Sequence, residues 1–137
     1  MVYNISMGFV ESIKTCFSKY FVFSGRGTRS EYWYFQLFLW SSFFIEPILI
    51  LLSLSIAGET YTAGLFILDF LIGIFRIIFV VSFIPGISAA VRRLHDVNRS
   101  GWWWFIPLTI IGSIPYLYWM TKRSDTGTNK YGAKPAK

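Results

Sequence analysis

The chain has 137 residues, of which 54% are hydrophobic, 20% aromatic and only 15% charged, with a net charge of +6 and a mean hydropathy of +0.50. Soluble domains carry about 25% charged residues, so this composition points away from an ordinary soluble domain and toward one membrane domain, 1–137. The single cysteine, Cys16, excludes an intrachain disulfide and a cysteine-based metal cluster. No secretory signal peptide is expected, because no short apolar core precedes a small-residue cleavage site.

Residues 5–23 repeat Phe9, Ile13, Phe17, Tyr20 and Phe21 at three- and four-residue steps, with Glu11, Lys14, Ser18 and Lys19 largely elsewhere on the wheel. This pattern predicts an amphipathic helix, lying on a bilayer surface or packed on the rest of the protein. SGRGTRSE, residues 24–31, breaks it. Thr28 and Glu31 have the spacing of a capping box, which predicts a helix start near Arg29.

A first span is predicted over 32–56, long enough to cross ~30 Å of hydrocarbon, with Tyr32, Trp33 and Tyr34 in the position of an interfacial aromatic belt. A turn without Lys or Arg follows at 57–64, then a second span over 65–90. RRLHDVNRSG reads as a polar elbow of about ten residues at a membrane surface. The third apolar segment is 102–120, with Ser100 as its N-cap. Residues 121–137 read as a basic, loosely ordered tail. The expected fold is all-α and integral to the membrane, with an antiparallel hairpin and a third hydrophobic segment.

Basic residues favour the cytoplasmic side. Lys14, Lys19, Arg26 and Arg29 place the N-terminus inside, and Arg92, Arg93 and Arg99 place the elbow there too. If segment 102–120 crosses, five basic tail residues lie outside against seven inside. If it dips and returns, all twelve lie inside. Pro107, Gly112 and Pro115 permit the dip, but two neighbouring helices give its backbone little shielding.

Three charges fall inside the spans. Glu46 and Arg76 sit at equal depth in an antiparallel hairpin, ~15 Å from its outer end, and are expected to pair. Asp69 lies two turns before Arg76 on the same face. The cluster of Glu46, Asp69 and Arg76 is expected to lock helix register; a transport path through an oligomer is the alternative.

No catalytic residue is assigned. His95 beside Asp96 resembles an oriented base, but adjacent residues do not readily make the bond a triad needs, and no nucleophile is marked. One His and one Cys are too few for a metal site, and no cofactor is implied. Trp102, Trp103 and Trp104 open an apolar segment, which argues for the membrane interface and against nucleic acid. If both polar turns share one face, Arg26, Arg29, Arg92, Arg93 and Arg99 exceed the counter-charges Glu31 and Asp96. Those five arginines are the expected ligands of an anionic lipid headgroup. The alternative is a self-satisfied polar cap. Membrane lipids and a second copy of the chain are the expected partners.

Three stretches, GRGTRSEYWYF (25–35), RRLHDVNRSGWWW (92–104) and GTNKYGAKP (127–135), resemble in order and spacing the small bacterial inner-membrane proteins of the YhaH/YhaI type, a family of unknown function numbered 805. The resemblance implies a bacterial inner-membrane protein of about three hydrophobic segments, consistent with a multi-pass chain, with no established activity. It marks Gly25, Arg26, Arg29, Glu31 and Trp33, the residues Arg92 to Asp96, then Arg99 to Trp103, and Asn129, Tyr131 and Gly132. It adds His95 and Asn129 to the expected polar cap beside Glu31 and Asp96, and it favours a tail on the same side as the elbow. The leading function is a non-enzymatic lipid-interacting or scaffold component; the alternatives are an oligomeric transporter or channel component and, third, a membrane enzyme built on His95.

Overall fold

The computed structural model describes residues 7–56 and 63–135. In chain order these form α1 (Phe9–Ser18), α2 (Arg29–Ile56), α3 (Ala63–Asp96), a 3-10 helix (Gly101–Leu108) and α4 (Ile110–Thr121). Among the described residues there is no strand, only an isolated bridge between Asn129 and Gly132. The turn expected at 57–64 falls outside the described residues over 57–62.

The chain divides into two compact units. One comprises residues 37–83 and the other comprises 1–36 with 84–137.

The 37–83 unit holds the apolar lengths of α2 and α3. Phe43 meets Phe79 with ring centroids 5.9 Å apart, and Glu46, three residues on, meets Arg76, three residues back. The two helices are therefore antiparallel in this unit. Their side chains face outward: Leu37, Trp40, Ile48, Leu51, Phe66, Phe70, Ile77 and Val80 are all exposed. Apolar side chains left uncovered over two long helices are what hydrocarbon surroundings require. Among the described residues, two helical stretches, Arg29–Ser55 and Leu65–Asp96, are long and apolar enough to cross a membrane.

The other unit has its own core, formed by Tyr32, Ala90, Leu94, Tyr116 and Met120, with Trp104, Ile106 and Trp119 packed on it. Residues 102–120 do not form one continuous helix. The 3-10 turn ends at Thr109, which is extended (φ −100°, ψ 136°) and caps α4 by accepting from Gly112 N. Gly112 then passes so near Ile106 that a Cβ there would stand 2.3 Å from Ile106 O. A helix of twelve residues is ~18 Å long and does not span ~30 Å of hydrocarbon.

α1 is shorter than the expected 5–23. Its first predicted residues lie outside the described ones, and the chain leaves the helix after Ser18. Its buried stripe is small rather than aromatic: Ser12 and Cys16, one turn apart, lie against the start of α2. Ser12 Oγ donates to Ser30 O (3.5 Å) and Cys16 Sγ to Glu31 O (3.9 Å). Phe17 stacks edge-on against Phe35, and Phe9 against Tyr34.

Burial, with the nearby Glu31 carboxylate adding to it, pushes the Cys16 thiol up to about 12. At pH 8 only ~1 in 10,000 such thiols is ionised, against about a quarter of free ones. Maleimide is expected to leave Cys16 unmodified in the folded, detergent-extracted protein and to modify it fully after unfolding. Fast labelling of the native protein would show that α1 does not stay docked.

Candidate functional site: a buried arginine cluster

α3 does not stop at Arg92, where the elbow was expected. It continues through Arg92, Arg93, Leu94, His95 and Asp96. Asn98 takes a positive φ of 60°, Arg99 N donates to Leu94 O (2.8 Å), and Asn98 N donates to His95 O (3.0 Å). This pairing is a Schellman closure with Asn98 in the left-handed position. The elbow proper is thus Val97 to Ser100, with Ser100 accepting from Trp102 N as expected of its N-cap.

The helix N-terminus at Arg29 is also as expected, but with half of its capping box. Thr28 Oγ1 accepts from Glu31 N at 3.1 Å. The Glu31 carboxylate goes elsewhere, to Arg92 Nη2 at 2.7 Å. Gly27 brings the turn against α3: its N–H donates to Arg92 O (2.9 Å), and a Cβ on it would sit 3.1 Å from Arg92 Cβ.

Helix ends leave carbonyls without intrahelical partners, and three arginines close them. Arg92 Nη1 donates to Val22 O (2.6 Å) and Lys19 O (3.4 Å), just past the end of α1. Ser88 Oγ donates to the same two oxygens and bonds Arg92 Nη1. Arg93 donates to Met120 O and Trp119 O, both at 3.2 Å, and to Lys122 O, at the end of α4. Arg26 donates to Asp125 O and Gly127 O (both 2.7 Å) and to Gly132 O (3.3 Å), and reaches Asp96 O at 3.5 Å.

Two carboxylates pair with the three guanidinium groups. Glu31 serves Arg92, while Asp96 accepts from Arg26 at 3.0 Å and from Arg93 at 2.5 Å. The side chains of Arg92, Arg93 and Asp96 are no more than 1% exposed. Buried charges are tolerable only when paired and hydrogen-bonded, and nearly every donor in this set is satisfied; Arg92 Nε is the exception.

The tail is pinned onto this cluster rather than loosely ordered. Asp125 N donates to Asp96 O (3.2 Å), and Asn129 Nδ2 donates to His95 O (2.9 Å). The rings of His95 and Tyr131 stack 3.7 Å apart and nearly parallel. Gly127 and Gly132 have positive φ, a conformation glycine adopts freely, and their carbonyls face Arg26.

The model of the family described as "Protein of unknown function (DUF805)" matches residues 20–133. The chain belongs to this family. It is 33% identical over 120 residues to "Inner membrane protein YhaI" of Escherichia coli (strain K12), covering 85% of the chain and 87% of the relative. It is 30% identical over 122 residues to "Inner membrane protein YhaH" of the same strain, covering 85% and 88%. No solved structure matches. The stretches 25–35, 92–104 and 127–135 all contribute to the arginine cluster. With two helices of membrane-spanning length and composition, this DUF805 chain is a small membrane protein.

The geometry divides the residues expected to hold a lipid headgroup. Arg26, Arg92 and Arg93 are buried with their guanidinium groups turned onto protein carbonyls and carboxylates, and the donor among them that lacks a partner, Arg92 Nε, is itself enclosed by protein. Arg29 and Arg99 are exposed. Arg99 lies over the Trp119 ring, 5.0 Å from its centroid. Glu31, His95, Asp96 and Asn129 do come together in one polar cap. His95 Nδ1–H donates to Gly25 O (3.1 Å) while Asp96 accepts from arginines, so the two neighbours are not a base and its orienting acid. Sequence reading missed Ser88 and the helix-end carbonyls as partners; Asn98 after RRLHD was the available signal for where α3 ends.

In the 37–83 unit, Arg76 Nε donates to Glu46 Oε1 at 2.6 Å, the expected pair. Asp69 stands seven residues before Arg76 on α3, with its side chain exposed. The Arg76 side chain is 61% exposed and that of Glu46 23%. Charges within a span are costly unless paired. Arg76→Ala is expected to lower the membrane level of the protein several-fold, and Glu46→Ala in the same chain to restore much of it. Quantitative blotting of membrane fractions reads both, and equal levels for all variants would remove the lock.

Proposed function

We propose that the chain is a non-enzymatic, multi-pass inner-membrane component, a lipid-interacting scaffold with a preassembled basic cap on the cytoplasmic face. The observation that carries this reading is the arginine cluster. It spends the polar residues of three sequence-distant stretches on one another, so the cap is built for shape, not turnover. Relatives named as inner membrane proteins support the location. Tail bonds to α3 residues 95 and 96 support a tail on the cytoplasmic side with the RRLHD end, and a 102–120 segment that re-enters.

Two measurements test the reading. In a Cys16→Ser background, Thr128→Cys is expected to resist an impermeant thiol reagent in intact cells and to react after lysis; labelling in intact cells refutes the shared face. In vesicles, added phosphatidylglycerol is expected to raise the unfolding midpoint over phosphatidylcholine alone, because a ligand that favours the folded state stabilises it. An unchanged midpoint removes the lipid interaction.

A second reading, an oligomeric transporter or channel component using Glu46, Asp69 and Arg76, is favoured by the exposure of the Arg76 side chain at span depth. Solute flux in proteoliposomes, altered by Glu46→Gln, separates it from the first.

A further inference from the structure

With three arginines consumed, the basic residues that remain free locate a different site. A groove of about 620 Å³ opens beside the start of α2, bordered by Arg29, Ser30 and Trp33, by Thr121 at the end of α4 and Ser124 beyond it, and by Lys134 of the tail. Its volume lies within the ~300–1,000 Å³ usual for small-molecule sites. Arg29 and Lys134 are both exposed, and among the described residues neither forms an ion pair. The hydrogen bond from Arg29 Nη1 to Thr121 O is long, 3.4 Å. Among the described residues, no carboxylate side chain lines the groove. Glu31, the acid nearest in sequence, is held by Arg92. Two cations without an ion pair lining one concavity, with Ser30 and Ser124 also in its lining, have the chemistry of a phosphate site.

We propose that this groove binds the phosphate of an anionic phospholipid headgroup. The proposal rests on the lipid-interacting reading above and gives it a location that excludes Arg26, Arg92 and Arg93. A lipid is favoured over free phosphate because the groove has an aromatic wall. Trp33 and Tyr34 flank it, part-exposed, at the first turns of a spanning helix, and indole and phenol rings at that level pack against glycerol and upper acyl chain. Trp33 is also fixed in place, its Nε1–H donating to Met120 O at 3.3 Å. The groove therefore offers cations to the headgroup and rings to what lies beneath it.

The test uses the full chain in neutral detergent and native mass spectrometry, titrated in parallel with dioleoyl phosphatidylglycerol, dioleoyl phosphatidylcholine and inorganic phosphate. Phosphatidylglycerol is expected to be retained at least tenfold better than phosphatidylcholine. Arg29→Gln with Lys134→Gln is expected to remove that preference, while Lys14→Gln, an exposed charge on α1, leaves it unchanged. If the double variant does not fold, Lys134→Gln alone, at an exposed tail position, is expected to reduce retention threefold or more. Preference lost with Lys14 but kept without Arg29 and Lys134 overturns the groove and leaves the lipid reading standing. No preference in the unaltered chain overturns both. Inorganic phosphate that binds as well as the lipid, and displaces it, shows free phosphate to be the ligand and overturns the lipid assignment.

Discussion

Asp96→Ala is expected to leave no folded cap. The carboxylate is fully buried and accepts from two guanidinium groups, Arg26 at 3.0 Å and Arg93 at 2.5 Å. Its removal strands both cations in a site closed to water. Breaking one buried pair by deleting a partner costs ~3–5 kcal/mol, and this change breaks two, against a total stability of ~5–15 kcal/mol for most domains. The backbone cost follows, since Asp96 O and the tail carbonyls that surround Arg26 depend on the same arrangement. Asp96→Asn keeps the shape and one acceptor oxygen, so it is expected to fold but melt well below the unaltered protein. Size-exclusion profiles and unfolding midpoints in detergent read both. A monodisperse Asp96→Ala protein with an unchanged midpoint would show the cluster to be dispensable.

Arg92→Lys is expected to cost nearly as much, although the charge is retained. Arg92 works as a fork: Nη2 holds Glu31 while Nη1 reaches Val22 O, Lys19 O and the Ser88 hydroxyl. A single ammonium on a flexible stem does not meet a carboxylate and the end of α1 together. Losing one side leaves either the buried Glu31 carboxylate without its cation or Lys19 O and Val22 O with the Ser88 hydroxyl in place of Arg92; the first loss is the larger, since a buried charge without a partner costs more than the ~1–3 kcal/mol of a neutral group. The readout is distinctive, because Cys16 lies on the face of α1 that this bond secures. Arg92→Lys is expected to make Cys16 open to maleimide while Tyr32, Leu94 and Met120 stay packed, as near-ultraviolet circular dichroism would show. A silent Cys16 in that variant would show that α1 docks without Arg92.

Each of these changes acts on contacts between residues far apart in sequence, and that sets the limit of sequence reading. Periodicity and composition were sufficient for the all-helical class, the two long apolar helices, the helix start at Arg29 and the Ser100 cap, because each depends on residues within a few turns of one another. The Glu46–Arg76 pair was also legible, since a charge inside a span has few places to go and equal depth names the partner. RRLHD shows the difference. Four polar residues around Leu94, before a tryptophan run, looked like a surface elbow offering arginines to lipid. In the structure they are the last turns of α3, and Asn98 in the left-handed conformation ends the helix.

The sequence by itself determined that this chain is helical, apolar and membrane-like, with three basic polar stretches in a fixed order. Only the tertiary structure decided what those stretches do. An arginine at a surface and an arginine buried against helix-end carbonyls have the same sequence neighbours, and the choice between them is made by the ends of α1 and α4 and by a tail more than twenty-five residues away. Burial made Arg26, Arg92 and Arg93 structural, because desolvated cations must find acceptors at once. It thereby left Arg29 and Lys134 as the cations that converge on an open groove.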